Sequence, residues 1–353
     1  MKTLKLLITI SVITATLFSC GGGAGEKKEK IQLSGAGATF PLPFYNLAIK
    51  KYAEQTGVNI SYGGIGSGGG IRSLKDQVVD YGATDAFLDD AQAAEMPAKV
   101  VHIPTCIGAV VVAYNLPGVD GLKLTNSLLI DILMGKITKW DDPQVAAAND
   151  GLSLPNQEIT VVFRSDGSGT TFIFSDYLCK ISPEWDGAVG KGKSLKWPVG
   201  IGAKGNPGVA GTISQTVGSI GYLGSEFALA QKIPSASIMN SSGIFVEPTI
   251  ESISAAAKGE IPADTRVMLT NSSDPDAYPI SGFTWLILYQ EQAFNNRSKA
   301  QAEETLKYID WMIGTEAQKL APAVNYAPLP EVAVMLAKGI LRTVTYNGET
   351  VLK

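Results

Sequence analysis

The chain has 353 residues, enough for one large domain or two of ordinary size. Apolar residues make up 45% and charged residues 18%, which excludes a disordered chain. A net charge of −4 counts against a nucleic-acid partner, and a single histidine, His102, counts against a His-rich metal site and most His-dependent catalysis.

Met1–Lys5 is a basic start and Leu6–Phe18 an apolar stretch, so residues 1–19 read as a secretory signal outside the fold. The end of that signal, Leu17-Phe18-Ser19-Cys20, resembles a bacterial lipobox, with Cys20 acylated and first in the mature chain. Phe18 is bulkier than the residue usual at its place, and simple cleavage leaving a free Cys20 is the other reading. Several acyl chains together would anchor the protein to a membrane, as one would not. Removing the signal leaves 27 basic against 33 acidic residues, a charge of −6. A small anion is still an allowed ligand, because buried donors act over a few ångströms while distant surface charges are screened. Residues 20–30, glycine and charge with nothing to bury, predict a tether between lipid and fold.

Ile31–Gly35 predicts a strand, Gly35–Pro41 a tight turn, and Phe44, Leu47, Ala48 and Tyr52 a helix, with Thr39 and Phe40 at the junction. Asn59–Tyr62 predicts a second strand and Gly63–Gly70 a second glycine turn with Ser67 as its hydroxyl. Ile71, Leu74 and Val78 mark the helix that follows. Tyr81–Thr84 predicts a short strand that ends at Asp85, either a cap or turn residue or a ligand. A helix start is expected at Asp89-Asp90. Val100–Tyr114 is a long apolar run interrupted by Pro104 and Gly108, a buried strand pair or a strand crossing between domains. Within it Cys106 reads as a small core residue and His102 as structural. Ser127–Met134 predicts a short helix and Lys139–Pro143 a turn with a partly buried Trp140.

Ile159–Phe163 is a β-branched run, and Phe174, Tyr177, Leu178 and Ile181 recur at helical spacing. Between them lies Arg164-Ser165-Asp166-Gly167-Ser168-Gly169-Thr170-Thr171, a third strand–turn–helix unit. Its Ser168, Gly169 and Thr170 fall where amide N–H groups have no intrahelical partner. Those amides, two hydroxyls and the helix dipole suit an anion, with Arg164 adding a fork of donors and Asp166 holding it. An ordinary capped turn with a surface ion pair is the plainer reading. The glycine-rich loop Trp197–Asn206 either lines a cleft or shapes its rim. Ser219–Leu223 reads as a strand end, Phe283–Tyr289 as a buried strand, and Leu306, Ile309, Asp310 and Ile313 as a helix. Alternating strands and helices give an α/β class with largely parallel sheets, where ligands bind at the carboxyl ends of strands.

The blocks Gly35–Pro41, Tyr62–Ser67, Asp80–Asp85, Gly135–Ile137 with Lys139–Asp141, Arg164 with Asp166–Thr170, and Lys196–Pro198 stand in one order. In that order and spacing the chain resembles the phosphate-binding proteins of bacterial high-affinity phosphate ABC transporters, over almost everything after the tether. The resemblance implies a two-domain periplasmic-binding-protein fold of type II with the ligand in the interdomain cleft. It implies domain I from residues 31–105 and 282–353, and domain II from 106–281. It implies inorganic phosphate held by Thr39, Phe40, Ser67, Asp85, Arg164, Ser168, Gly169 and Thr170, with Asp166 orienting Arg164. It implies a monomer, outside the cytoplasm and lipid-anchored through Cys20, that delivers phosphate to permease subunits driven by their ATPase. No cofactor, metal or catalytic residue is expected, and no nucleic acid. The glycine turns lack the Gly-Lys-Ser/Thr ending of a P-loop. Two rivals stand: a phosphate-binding surface or sensor protein without transport, and a phosphatase using Ser168, whose only candidate base is His102.

Overall fold

The computed structural model describes residues 31–352. The expected signal, the tether and Cys20 lie outside the described residues. Among those described, no helix is long and apolar enough to cross a membrane.

The main sheet has eight strands: β1 Gln32–Gly37, β2 Asn59–Gly64, β3 Tyr81–Thr84, β4 Val100–Tyr114, β5 Thr160–Arg164, β6 Ile201–Ala203, β7 Ser219–Gly224 and β8 Ser281–Tyr289. Their spatial order is β2-β1-β3-β8-β4-β7-β5-β6. The flanks are parallel: β1 pairs with β2 and β3, and β5 with β6 and β7. The centre is not. β8 runs antiparallel to both β3 and β4, and β4 antiparallel to β7. The expectation of largely parallel sheets therefore holds only outside the middle. Parallel neighbours need a crossover, which local sequence advertises as strand, turn and helix. β8 enters the sheet from far along the chain, and nothing local announces its partner.

β4 is one unbroken strand of 15 residues rather than a strand pair. Its first stretch, to Ala109, pairs with β8, and its second, from Val110, pairs with β7, so it belongs to both halves of the sheet. Pro104 does not end it, because the register with β8 shifts there: Trp285 faces Pro104 and Thr284 faces Cys106, leaving Thr105 as the extra residue of a bulge. Gly108 does not end it either. The Phe40 ring occupies the side-chain place, where a methyl would lie 2.5 Å from a ring carbon. Val110, Val111 and Val112 are buried on both faces of the sheet. Each stabilises the fold by roughly 1.5–3 kcal/mol relative to exposure.

Four helices position the cleft: α1 Leu42–Thr56, α2 Ser67–Lys75, α3 Gly169–Ile181 and α4 Gly205–Gln215. α1 carries Pro43 in its first turn, where the missing N–H costs nothing, and stops at Gly57, whose left-handed φ of 73° lets its N–H reach Ala53. α2 ends at Lys75, so Val78 lies beyond it and is exposed, against the helical reading. Asp89 caps the next short helix through the N–H of Gln92, at the expected start. Trp140 is fully buried rather than partly, its indole N–H donating to the Gly218 carbonyl at 2.9 Å. Beneath α3 the rings of Phe174, Tyr222, Trp197 and Phe163 stack in series, with centroids 4.5, 5.3 and 5.4 Å apart. Such pairs add about 0.5–1.5 kcal/mol each. They fix β5 and α3 relative to one another, and Arg164 stands at the end of β5.

Candidate functional site

Three helix starts and one strand end meet between the halves of the sheet. Thr39 and Phe40 precede α1, Ser67 begins α2, Ser168, Gly169 and Thr170 begin α3, and Asp85 follows β3. All of these, with Arg164, are buried. They are also in contact. The Ser67 hydroxyl takes the Asp85 N–H at 3.1 Å and lies 3.3 Å from Asp85 Oδ2. Arg164 Nη1 donates to Thr170 Oγ1 at 3.2 Å. The halves touch directly where the Gly68 N–H donates to the Gly167 carbonyl at 2.8 Å. Gly66, at φ 83°, accommodates Asp166: a Cβ there would lie 2.5 Å from Asp166 Oδ2. Gly169 is pressed against the other side of the cleft, where a Cβ would lie 2.6 Å from Asp85 Oδ2.

The charges are arranged in opposition. Arg164 donates through Nε to Asp166 Oδ1 at 2.7 Å and through Nη2 to Oδ2 at 2.6 Å, a bidentate pair. Burial would push the Asp166 carboxyl up, but the Arg164 guanidinium and the Gly205 N–H at 3.0 Å hold it below the usual range. Asp85 goes the other way. Burial raises its carboxyl to about 7, despite Thr284, Arg164 and Ser67 favouring the charged form. Thr284 Oγ1 donates to Asp85 Oδ1 at 2.8 Å. Among the described residues, the N–H groups of Thr39, Phe40, Gly169 and Thr170 meet no protein acceptor. The site thus holds a guanidinium, several unspent N–H and O–H donors, and one carboxyl able to accept.

Two details differ from the sequence reading. The Ser168 amide is not free: it donates to the Lys193 carbonyl at 2.8 Å, and the Ser168 hydroxyl caps α3 through the Thr171 N–H at 3.0 Å. What Ser168 can still offer a ligand is its hydroxyl proton. And the loop Trp197–Asn206 reaches the cleft only at its end, with residues 198–202 exposed. Asn206, fully buried, gives both its N–H and its Nδ2 to Thr39 Oγ1, at 3.2 and 3.1 Å. Its Nδ2 also reaches Thr170 Oγ1 at 3.1 Å, so one side chain ties the α1 start to the α3 start. Asn206 and Thr284 were not singled out by sequence. Asn206 follows a glycine in the first turn of α4, much the same local signature as Ser67 and Ser168, and that signal was available. Thr284 sits in an apolar strand with nothing beside it to mark its partner.

A family model described as a PBP superfamily domain matches residues 22–316. A phosphate-binding protein PstS of Xylella fastidiosa is 39% identical over 312 residues, covering 87% of this chain and 84% of its own. Another from Pasteurella multocida is 40% identical over 306 residues, covering 85% of this chain and 86% of its own. Among solved structures, a phosphate binding protein from Stenotrophomonas maltophilia shares the fold, with a TM-score of 0.65 over 91% of this chain and 96% of its own at 18% identity. The two-domain α/β architecture is the fold these proteins share. Matched over most of its length, the chain belongs to the PstS phosphate-binding proteins of the PBP superfamily.

Proposed function

We propose that this protein captures inorganic phosphate between its two domains and delivers it to an ABC permease for import. One observation carries the reading: a buried carboxyl, Asp85, lies against the start of α3 among donors that otherwise suit any oxyanion. Phosphate near neutral pH keeps at least one proton, and sulfate keeps none. Asp85 accepts a hydrogen bond from the phosphate O–H. Against sulfate the same carboxylate faces an oxygen lone pair, and a buried acceptor is left unpaired. Arg164 offsets the charge, the N–H groups of Phe40, Gly169 and Thr170 hold the other oxygens, and Thr39, Ser67 and Ser168 contribute hydroxyls. Asp166 fixes Arg164 without touching the ligand.

The domains are residues 31–105 with 282–353, and residues 106–281, hinged on β4 and β8. Binding closes them, and the closed faces meet the permease. The protein works as a monomer outside the cytoplasm, held to the membrane through an acylated Cys20. It is a carrier, not an enzyme. In support, the Ser168 hydroxyl oxygen already accepts the Thr171 N–H, and His102, the only histidine, takes the Leu88 N–H on Nε2 at 3.1 Å. Burial holds the His102 imidazole down at about 3, so it is neutral but already engaged. Calorimetric titration with phosphate, sulfate and arsenate tests the reading. Phosphate and arsenate should bind and compete, and sulfate should not; equal binding of sulfate would remove Asp85 from its role.

A further inference from the structure

Asn206 is fully buried in the first turn of α4, and its backbone N–H and whole side-chain amide are committed to named partners. The amide fits only one way round. Gly224, at the end of β7, gives its N–H to Asn206 Oδ1 at 3.1 Å, and a backbone N–H can only donate. The amide oxygen therefore faces Gly224 and Nδ2 faces two threonines. Its two hydrogens go to Thr39 Oγ1 and Thr170 Oγ1, both at 3.1 Å. The Asn206 N–H adds a second bond to Thr39 Oγ1, at 3.2 Å. Arg164 Nη1 adds a second to Thr170 Oγ1, also at 3.2 Å.

A threonine hydroxyl has two lone pairs and one hydrogen. At Thr39 both lone pairs are taken by Asn206; at Thr170 one is taken by Asn206 and one by Arg164. All these donors are N–H groups, which cannot accept in return. Each hydroxyl is left with its hydrogen alone, and among the described residues neither hydrogen has a protein acceptor. Both threonines are buried, and a buried donor without a partner is costly. Each is therefore held ready for an acceptor arriving in the cleft.

Resting on the phosphate reading, we propose that Asn206 is a positioning residue that sets the direction of these two hydroxyls. With it in place, Thr39 and Thr170 donate to phosphate oxygens and accept nothing from the ligand. These two corners offer hydrogen only, so the proton of phosphate is left to Asp85. Without Asn206 each threonine oxygen recovers a lone pair, and its hydrogen is free to turn away. The other early N–H of α4 acts by the same logic: Gly205 donates to Asp166, which orients Arg164. The start of α4 thus serves the ligand through intermediaries, without touching it.

Calorimetry with inorganic phosphate on a double-mutant cycle tests the proposal. Asn206→Leu keeps the side chain's size and removes its donors. Phosphate affinity should fall by roughly tenfold or more, the weight of one hydrogen bond to a charged ligand. A Thr39→Val, Thr170→Val background has no hydroxyl to direct, so there the fold-loss from Asn206→Leu should shrink to less than about a third. A smaller loss in the first case, or a larger remainder in the second, overturns the proposal. A wild type that binds no phosphate overturns the reading beneath it, and this one with it. Should the variants fail to fold or bind too weakly to measure, neutron crystallography of deuterated wild type with phosphate decides. Deuterium on both threonine oxygens should point at phosphate, and the Asn206 amide deuterium atoms at the threonines. A threonine deuterium aimed at anything else overturns the proposal.

Discussion

The two sides of the cleft differ in what they hold. The α1–α2 side brings Thr39, Phe40, Ser67 and Asp85: hydroxyls, an amide and a carboxyl, but no cation. The α3 side brings Arg164, clamped by Asp166, and a capped helix start with spare amides. Donors on the α3 side suit any anion and supply grip. On the proposed reading, the acceptor on the other side distinguishes one anion from another. Neither side is a site alone, so on the proposed reading closure is part of recognition rather than a later event.

Removing the grip should have the largest effect. Arg164→Ala leaves Asp166 without its partner, and truncating one member of a buried, hydrogen-bonded charge pair costs about 2–5 kcal/mol. Phosphate affinity measured by calorimetry should fall by at least roughly 30-fold, the equivalent of about 2 kcal/mol. A loss under threefold would put the binding energy elsewhere. Next comes the filter. Asp85→Asn should lower the phosphate-to-sulfate affinity ratio by about 1–3 kcal/mol, the cost of one unpaired buried group. Phosphate affinity itself should change less than the ratio, and an unchanged ratio would assign the discrimination to another residue.

The contact between the two sides can be spoiled without touching either set of charges. Gly169→Ala would drive a methyl into the Ser67 hydroxyl and to 2.6 Å from Asp85 Oδ2. Overpacking of this kind costs about 1–3 kcal/mol. It should appear as weaker binding and reduced small-angle-scattering closure with phosphate, and wild-type closure in the variant would show that the sides need not meet so tightly. The smallest effect is on stability against pH in phosphate-free protein. The Asp85 carboxyl sits at about 7 folded against 3.8 ordinarily, so between those values the folded state holds the extra proton. Its contribution is full below about pH 4 and is lost as pH rises through 7. Melting temperatures of wild type should therefore drop more from pH 5 to 7.5 than those of Asp85→Asn, and parallel curves would argue that Asp85 is ionised throughout.

Sequence revealed the α3 side almost entirely. The β-branched run, the Gly-Ser turn and the 3.6-residue spacing are all local, and Arg164 and Asp166 are two residues apart. The other side was legible by repetition of the same unit at Thr39 and Ser67. What could not be read were the contacts that cross the chain. Ser168 gives its amide to Lys193, Asn206 joins Thr39 to Thr170, and Thr284 braces Asp85 from the far strand β8. The antiparallel centre of the sheet escaped for the same reason. Apolar runs such as Val100–Tyr114 and Ser281–Tyr289 announce burial but not direction or neighbour.

The unbroken course of β4 makes it a spine shared by both lobes rather than a cord strung between them. Any swing must be absorbed by twist over a few residues, and the spare residue at Thr105 is the natural slack. In the proposed closure, lobes joined through β4 and the start of β8 follow a single arc instead of wandering. Little freedom remains to be surrendered when they shut, so more of each contact's strength survives as affinity.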